Sequence, residues 1–282
     1  MNFLTYLKHV RIGRVCSYIG LLGAVLVSLF PVFWTLSTSI KTRVSTFSIP
    51  PQFFDFTPTF KNYVQLFASS DFLYVLSNTI LITFFSTLLC VIVSTLTAYA
   101  LARTKRFPSR VSLEVSLLLV RAVPTIVLMV PLFQIVSVLN LYDNRVAMII
   151  LYAAVNLPFA VWLMTSFIEQ IPVELEECAS VDGASGYQIL SRIIFPLAVP
   201  GMAATMIFVA LLAWNEFLIP VLLAGETAKT LPVYISGFIS ARNLDWGPMA
   251  AASSLAIVPI AFFTVLIQRR LVSGLSSGAV KG

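Results

Sequence analysis

Long hydrophobic stretches separated by short polar segments dominate the pattern of this chain. A helix needs roughly 20 apolar residues to cross roughly 30 Å of hydrocarbon, and the stretches meet that requirement. The pattern therefore predicts an all-α integral membrane protein with six transmembrane helices. The predicted spans are residues 17–40, 72–102, 111–138, 146–167, 199–225 and 247–268.

Polar segments at the two ends and between the spans complete the predicted organisation. Residues 1–16 form a short head, residues 17–282 a single transmembrane domain, and residues 269–282 its tail. The first hydrophobic stretch is too long for a signal-peptide core and lacks a cleavage site, so we expect it to remain as a span. The aromatic-rich and proline-rich loop at 41–71 suits either a membrane interface or a docking surface.

Composition supports the membrane assignment and explains the positive charge. The chain is 59% hydrophobic and 11% charged, whereas soluble domains carry about 25% charged residues. Eleven Lys and Arg residues lie on the side of the predicted termini and six on the other side. Because cytoplasmic loops retain Lys and Arg, we expect both termini in the cytoplasm. The net charge of +6 then requires no nucleic-acid partner.

One polar stretch, residues 171–201, is better organised than a plain connector. Pro172 stands where a first helical residue belongs, and three glutamates follow in the first turns, where carboxylates favour the positive end of the helix dipole. Gly183 breaks this helix, and Ser185 is expected to cap a second one. The pattern predicts two short helices about a glycine hinge on the cytoplasmic side.

The second short helix carries an apolar stripe that nothing in its own loop covers. Tyr187, Leu190 and Ile194 recur at helical spacing, which places them on one face. Pro196 and Pro200 are expected to end this helix before the fifth span begins. A helix pair of this kind is suited to insertion into another protein.

Several residues of this stretch resemble the EAA loop of bacterial ABC-importer permeases. Glu177-Cys178-Ala179 is followed by Gly183 and then by residues 193–196, with Cys178 where the family usually has alanine. In that family the loop is the coupling element that enters a cleft on the ATPase subunit. The resemblance implies a coupling role for Glu174, Glu177, Cys178, Ala179, Asp182, Gly183, Ala184, Leu190, Ile193 and Pro196.

Two carboxylates in this loop have more specific interpretations. Asp182 is expected to cap the N–H groups that follow the glycine hinge. Glu177 either pairs with a basic group on the ATPase or only favours the helix dipole, and the sequence leaves both interpretations open.

The rest of the chain resembles the sugar-importing, maltose-transporter-like branch of this family. The matching segments are Asn62-Tyr63, Asn78-Thr79, residues 98–103, residues 214–217 and the ending at 274–282. The resemblance implies a permease subunit of a binding-protein-dependent sugar importer in a bacterial inner membrane. It also implies the partners: a second homologous permease, two ATPase subunits that bind ATP and magnesium, an extracytoplasmic sugar-binding protein and membrane lipid.

The sequence offers no catalytic machinery. Residues 225–230 lack the first glycine of a phosphate-binding loop and the glycine before its lysine, so we interpret them as a turn. Three isolated cysteines and one histidine provide neither a disulfide framework nor metal spacing. We therefore expect no catalytic residue, metal or cofactor on this chain, and ATP hydrolysis on partner subunits.

Polar residues inside the spans are the candidates for the translocation pathway, because such groups usually face a bundle interior or water. For each of them a helix-packing contact is the alternative. The candidates are Asn78, Arg121, Asn156, Trp214, Asn215 and Glu216. Glu114, near the cytoplasmic end of the third span, is expected to extend to the membrane interface.

Two further hypotheses stay open at this point. An importer of glycerol phosphate or polyamine would share the coupling loop, although an anionic cargo would favour more cationic residues along the pathway than Arg121. An ion-coupled carrier or channel would work without any ATPase, and the elaborate cytoplasmic loop argues against it.

Overall fold

Helices form the framework of the chain in a computed structural model that describes residues 3–103, 116–117, 119–239 and 245–278. Side-chain surroundings are described between residues 16 and 265 of those ranges. Within this described part, five helices are long and apolar enough to cross a membrane: Cys16–Ser39, Ser70–Arg103, Arg145–Ile168, Gly186–Trp214 and Trp246–Val265. A shorter apolar helix, Thr125–Val138, stands where the third span was predicted. The predicted all-α membrane class is confirmed.

Eleven of the described helices are numbered in chain order. They are α1 (Phe3–Ser39), α2 (Arg43–Thr46), α3 (Lys61–Ala68), α4 (Ser70–Arg103), α5 (Thr125–Val138), α6 (Arg145–Ile168), α7 (Glu174–Val181), α8 (Gly186–Trp214), α9 (Leu218–Leu223), α10 (Leu231–Ser236) and α11 (Trp246–Gly278). The predicted head and tail are helical as far as they are described, because α1 begins at Phe3 and α11 ends at Gly278.

The third span is interrupted rather than continuous over its described residues, because residues 116–117 and 119–122 are helical and residues 123 and 124 are not. Helix α5 begins at Thr125, directly after Pro124, whose extended backbone has ψ of 130°. Proline disfavours helical backbone in the residue before it, so a break at this point follows from local chemistry. Glu114 and the rest of residues 111–115 lie outside the described residues.

The prediction that Pro196 and Pro200 end the second short helix is wrong. Helix α8 continues from the loop into the fifth span, and it consists of Gly186–Ile189, a π-helical segment Leu190–Ile194, and Phe195–Trp214. A proline lacks an N–H and clashes with the carbonyl four residues before it. The wider π-helical turn just before Pro196 lets the chain pass this proline without a break.

The fifth span also ends earlier than predicted. Helix α8 stops at Trp214, and the short helix α9 follows after residues 215–217. The polar side chains of these residues bond to nearby backbone and so compete with helix continuation.

The chain divides into two compact units. One unit comprises Ser70–Tyr234 and Val258–Gly282. Its core follows α4 against α6 and α8 in three clusters, with small residues where the helices approach closely. The buried members are Ile82, Met129, Val136, Met148, Tyr152, Ala213, Ile219, Leu223 and Ala228; then Cys90, Ala153, Ala160 and Val209; then Ala98, Met164, Ile168, Ile171, Ile189, Ile194 and Ala198.

The other unit comprises Met1–Ser69 and Ile235–Ile257. Asn62 Nδ2 donates to the carbonyl oxygens of Ser39 and Lys41 at 2.8 and 3.0 Å. The Tyr63 hydroxyl bonds the hydroxyls of Ser39 and Ser254 at 2.8 and 2.7 Å. The Asn62-Tyr63 pair therefore ties the end of α1 to α3 and α11.

Candidate functional site

The loop at 171–201 contains the predicted helix, glycine hinge and capped second helix. Helix α7 ends at Val181, and Gly183 takes a left-handed backbone with φ of +82°. Ser185 Oγ accepts from the Gln188 N–H at 3.4 Å, and Gln188 Oε1 accepts from the Ser185 N–H at 2.7 Å. This reciprocal pair is a capping box, so the sequence-predicted hinge and Ser185 cap are confirmed.

Asp182 does not act as the predicted cap. Ser185 supplies the cap of α8, and no hydrogen bond of the Asp182 side chain occurs among the described residues. The capping position belongs to Ser185 because it is the residue directly before the first helical residue, Gly186.

The inner face of the loop is covered by the chain's own spans, which the sequence did not predict. Ile194 and Ile189 are buried against Ala98 of α4 and Met164 of α6. The partly buried residues Ala179, Ala184 and Leu190 join the same cluster. Leu190 and Ile194 of the apolar stripe thus pack within the subunit, because α8 continues from the loop and places this part of its face over the ends of α4 and α6.

The outer face of the loop stays exposed in this subunit. Its exposed residues include Glu174, Leu175, Glu177, Cys178, Val181, Asp182, Gly183, Tyr187 and Pro196. Val181 and Tyr187 are 88% and 79% exposed, which is unusual for large apolar side chains. Of the stripe predicted to face another protein, only Tyr187 is exposed, while Leu190 is partly buried and Ile194 is buried.

A charged cluster that the sequence did not reveal fastens α7 to the end of α4. Arg103 Nε donates to Glu176 Oε1 at 2.5 Å, and the Tyr99 hydroxyl donates to Glu176 Oε2 at 2.8 Å. Arg103 Nη2 also donates to the carbonyl oxygens of Ile171 and Ile168 at 2.8 and 3.3 Å. The side chains of Arg103 and Glu176 are only 14% and 11% exposed, so little water reaches either charge and each is stabilised mainly by the other.

One signal in the sequence could have found this cluster. Tyr99 and Arg103 are four residues apart, so both lie on one face of α4 at its C-terminal end. Helical periodicity also distinguishes the glutamates of α7. Glu174 and Glu176 are two residues apart, so their side chains lie on different faces of the helix.

The pathway candidates take part mainly in local hydrogen bonds. Asn78 is fully buried, and its Nδ2 donates to the carbonyl oxygens of Thr227 and Lys229 at 2.9 and 3.1 Å. Glu216 Oε1 accepts from the N–H groups of Leu218 and Ile219 at 2.9 and 3.1 Å. Asn78 therefore holds a loop, and Glu216 caps α9.

The remaining candidates show no shared polar cluster among the described residues. Asn156 Nδ2 and Asn215 Nδ2 donate to carbonyl oxygens one turn earlier in their own helices. Trp214 is 6% exposed, and the exposed Arg121 guanidinium lies 4.5 Å from the ring centroid of Phe159. A role in the pathway stays a prediction for all six candidates.

A second polar centre, also missed in the sequence, organises the loop at 224–231. The Asp143 carboxylate accepts from the N–H groups of Gly225, Ala228 and Thr227 at 2.7, 2.8 and 3.0 Å. Thr79 Oγ1 accepts from the Leu231 N–H at 2.8 Å. The N–H groups that a phosphate-binding loop would offer to a nucleotide are thus bonded to the chain's own carboxylate.

The same hydrogen bonds set the acidity of this carboxyl. Burial alone would raise the pKa of Asp143, but the three backbone N–H groups stabilise the carboxylate and hold its pKa below the usual value. The signal in the sequence that could have indicated this polar centre is an isolated aspartate in a short polar turn between two spans.

The comparisons with known proteins agree with the sequence resemblance. Residues 91–277 match the family model described as "Binding-protein-dependent transport system inner membrane component". The "Probable ABC transporter permease protein y4oR" of Sinorhizobium fredii is 38% identical over 90% of this chain and 91% of its own length. The "Trehalose transport system permease protein SugB" of Mycobacterium tuberculosis is 36% identical over 96% of this chain and 99% of its own length.

Solved structures lead to the same family. The fold matches a crystal structure of a bacterial ABC transporter involved in the import of the acidic polysaccharide alginate, with a TM-score of 0.78 and 25% identity. The match covers 92% of this chain and 96% of that chain. This chain belongs to the binding-protein-dependent inner-membrane component family, and it is a multi-pass permease subunit of an ABC importer rather than an enzyme.

Proposed function

We propose that this permease subunit moves a sugar across the bacterial inner membrane, after delivery by an extracytoplasmic binding protein. The relative from Mycobacterium tuberculosis is named for trehalose transport, and the matched crystal structure belongs to an importer of a polysaccharide. These likenesses support a carbohydrate cargo over glycerol phosphate or polyamine.

The observation that carries the coupling part of the proposal is the division of the loop at 171–201 into two faces. The inner face is buried against α4 and α6 and fastened through Arg103 and Glu176. The outer face exposes Glu177, Val181 and Tyr187. A loop that is packed against the spans on one face and exposed on the other is suited to bind a partner and to transmit its movement to the spans.

In this proposal two ATPase subunits bind ATP and magnesium and grip the outer face of α7. Their closure displaces α7 as a rigid body, and the Arg103–Glu176 pair passes that displacement to α4. Helix α8 carries it in parallel, because this helix begins inside the loop and ends in the fifth span. The spans then alternate between outward and inward access.

The assembly also includes a second homologous permease, which completes the pathway. Both termini and the coupling loop lie in the cytoplasm, as the excess of Lys and Arg on that side indicates. The long exposed apolar surfaces of α1 and α4 are available to lipid and to the companion subunit.

Reconstitution of the four components in liposomes tests the proposal. We expect uptake of a radiolabelled sugar only when the ATPase subunits, the binding protein and internal ATP are all present. Glycerol phosphate and polyamines, offered in parallel, should stay outside. Uptake by the permease pair without ATPase subunits would overturn the proposal.

A further inference from the structure

A buried lysine without an acidic partner stands in the unit formed by Met1–Ser69 and Ile235–Ile257. Lys41 is only 2% exposed, and its Nζ donates to the Gln52 carbonyl oxygen at 2.5 Å. The same Nζ lies 4.4 Å from the ring centroid of Trp34 and 4.9 Å from that of Phe56. Across the described residues, no carboxylate comes within ion-pair distance of it.

This setting leaves the ammonium charge incompletely compensated. Aromatic faces attract a cation, but this attraction is weaker than the cost of removing a charge from water. Burial accordingly lowers the pKa of Lys41. An anion placed beside this ammonium would supply the missing compensation.

Lys41 also lines an open cavity of about 210 Å³. The rest of the lining includes two tryptophans, several hydroxyl side chains and one amide, among them Trp34, Trp246, Thr38, Ser45, Ser253 and Gln52. Pockets for drug-sized ligands are larger, about 300–1,000 Å³, so this cavity suits a ligand of one sugar ring.

A second group in the cavity wall lacks a partner. Gln52 Oε1 is buried without a hydrogen-bond donor among the described residues. A buried acceptor without a donor loses its hydrogen bonds to water and gains none in return, which is unfavourable. A ligand hydroxyl group reaching this amide would supply the donor.

We propose that this cavity binds the ring of a carboxylate-bearing saccharide, a uronate, with its carboxylate at Lys41. The ring lies against the indole of Trp34 or Trp246, and its hydroxyl groups bond to the polar lining. A single carboxylate matches the single ammonium, whereas a phosphate dianion would bring a second uncompensated charge. The inference rests on the proposed sugar transport and narrows the cargo to acidic sugars.

Titration calorimetry on the purified permease complex tests this site directly. Sodium galacturonate should bind at least about tenfold more tightly than galactose, which has a hydroxymethyl group in place of the carboxylate, since only the carboxylate forms a charge-assisted hydrogen bond with the Lys41 ammonium. Sodium acetate, which has the charge without the ring, should also bind more weakly. Equal binding of acetate and galacturonate would overturn the saccharide assignment.

Variants assign the binding to this cavity. Lys41→Met should abolish the preference for galacturonate, and Lys61→Met, which removes an exposed lysine of the same loop, should leave it unchanged. Trp246→Ala truncates a ring that is 38% exposed at the cavity wall, and it should weaken galacturonate binding even if Lys41→Met fails to assemble. Unchanged binding in Trp246→Ala would contradict the proposal.

The binding measurement separates this inference from the proposed function. Absence of galacturonate binding in a complex that still imports a neutral sugar with ATP would overturn the cavity assignment alone. Loss of all ATP-driven sugar uptake in the native complex would instead overturn the transport function.

Discussion

At the scale of single residues, the glutamates of α7 show how neighbouring positions acquire different tasks. Glu176 is buried and paired with Arg103, while Glu174 and Glu177 remain exposed. All three favour the N-terminal end of the helix dipole, but that contribution is screened at exposed sites and small. Burial and the partner decide which glutamate is structural and which is free to meet another protein.

Breaking the buried pair should destabilise the subunit. Arg103→Met leaves the Glu176 carboxylate without its cation, and loss of one partner of a buried pair costs roughly 3–5 kcal/mol. Because both side chains keep some exposure, we expect the lower end of that range. The thermal unfolding midpoint of the purified complex measures the effect.

The double variant Arg103→Met, Glu176→Leu provides the control for that measurement. It removes both charges, so it should unfold at a higher temperature than Arg103→Met alone. The single variant Glu176→Leu completes the comparison. If the double variant is destabilised by as much as the two single variants together, or more, the residues do not act as a pair.

Reversing the charge of Glu177 should stop coupling without harming the fold. The side chain is exposed, so Glu177→Lys leaves the core untouched, yet it opposes any basic group on the ATPase. We expect at least about a tenfold loss of ATP-driven sugar uptake in proteoliposomes, equivalent to about 1.4 kcal/mol. Glu226→Lys, an exposed reversal in another loop, should transport normally.

At the scale of elements, the close approach of α6 and α8 depends on one glycine. A Cβ added at Gly201 would lie 2.6 and 2.7 Å from Cγ and Cβ of Phe167. The Phe167 Cβ is fixed to the backbone of α6, so one helix must shift. Close packing of helices in a membrane relies on such small residues.

Gly201→Ala should therefore separate the two helices. Overpacking of this kind costs typically about 1–3 kcal/mol, which we expect to lower the unfolding midpoint of the complex. Gly23→Ala is the matched control, because a Cβ at Gly23 meets nothing within 4 Å. An equal midpoint for the two variants would contradict the packing argument.

The loop at 224–231 depends on the ionised form of Asp143. A carboxyl whose pKa is lower in the folded state than about 3.9 adds stability above that ordinary value and loses it as the pH falls through the folded pKa. The loop of the native protein should therefore stay protected from amide exchange at neutral pH. Protection should disappear only at a pH below the usual range for aspartate.

Asp143→Asn should expose the loop amides already at neutral pH, because an amide cannot accept three N–H bonds as a carboxylate does. Hydrogen exchange of residues 224–231 measures the change. Glu226→Gln serves as the control, because Glu226 lies in the same loop but takes no part in the hydrogen bonds to Asp143. If the amide-exchange protection of residues 224–231 in the native protein did not change with pH, the role of Asp143 would be disproved.

At the scale of the whole molecule, the proposed orientation and partners can be tested through one cysteine. Cys178 is exposed on the outer face of α7, whereas Cys90 is buried. With Cys16→Ser and Cys90→Ser as background, a membrane-impermeant maleimide should label Cys178 in inverted vesicles but not in intact cells. Added ATPase subunits should slow that labelling at least about tenfold if they cover this face.

A cysteine placed in the predicted external loop controls for orientation. Val44→Cys, at a position that is 84% exposed, should label in intact cells. Labelling of Cys178 from outside the cell would overturn both the topology and the coupling role.

The sequence by itself determined the membrane class, the hinge at Gly183 and the cap at Ser185. It also determined the family, through the residues around Glu177. Each of these follows from apolar run length or from chemistry between near neighbours in the chain. Such signals survive without knowledge of the fold.

Only the tertiary structure decided the contacts between distant positions. Arg103 and Glu176 are 73 residues apart, and Asp143 and Gly225 are 82 apart, so no local pattern announces either pair. The packing of Ile194 against residues of α4 and α6 could not be predicted from the sequence for the same reason. Which polar group is buried, and against what, depends on helix packing, and packing also decides which face of the loop at 171–201 remains exposed.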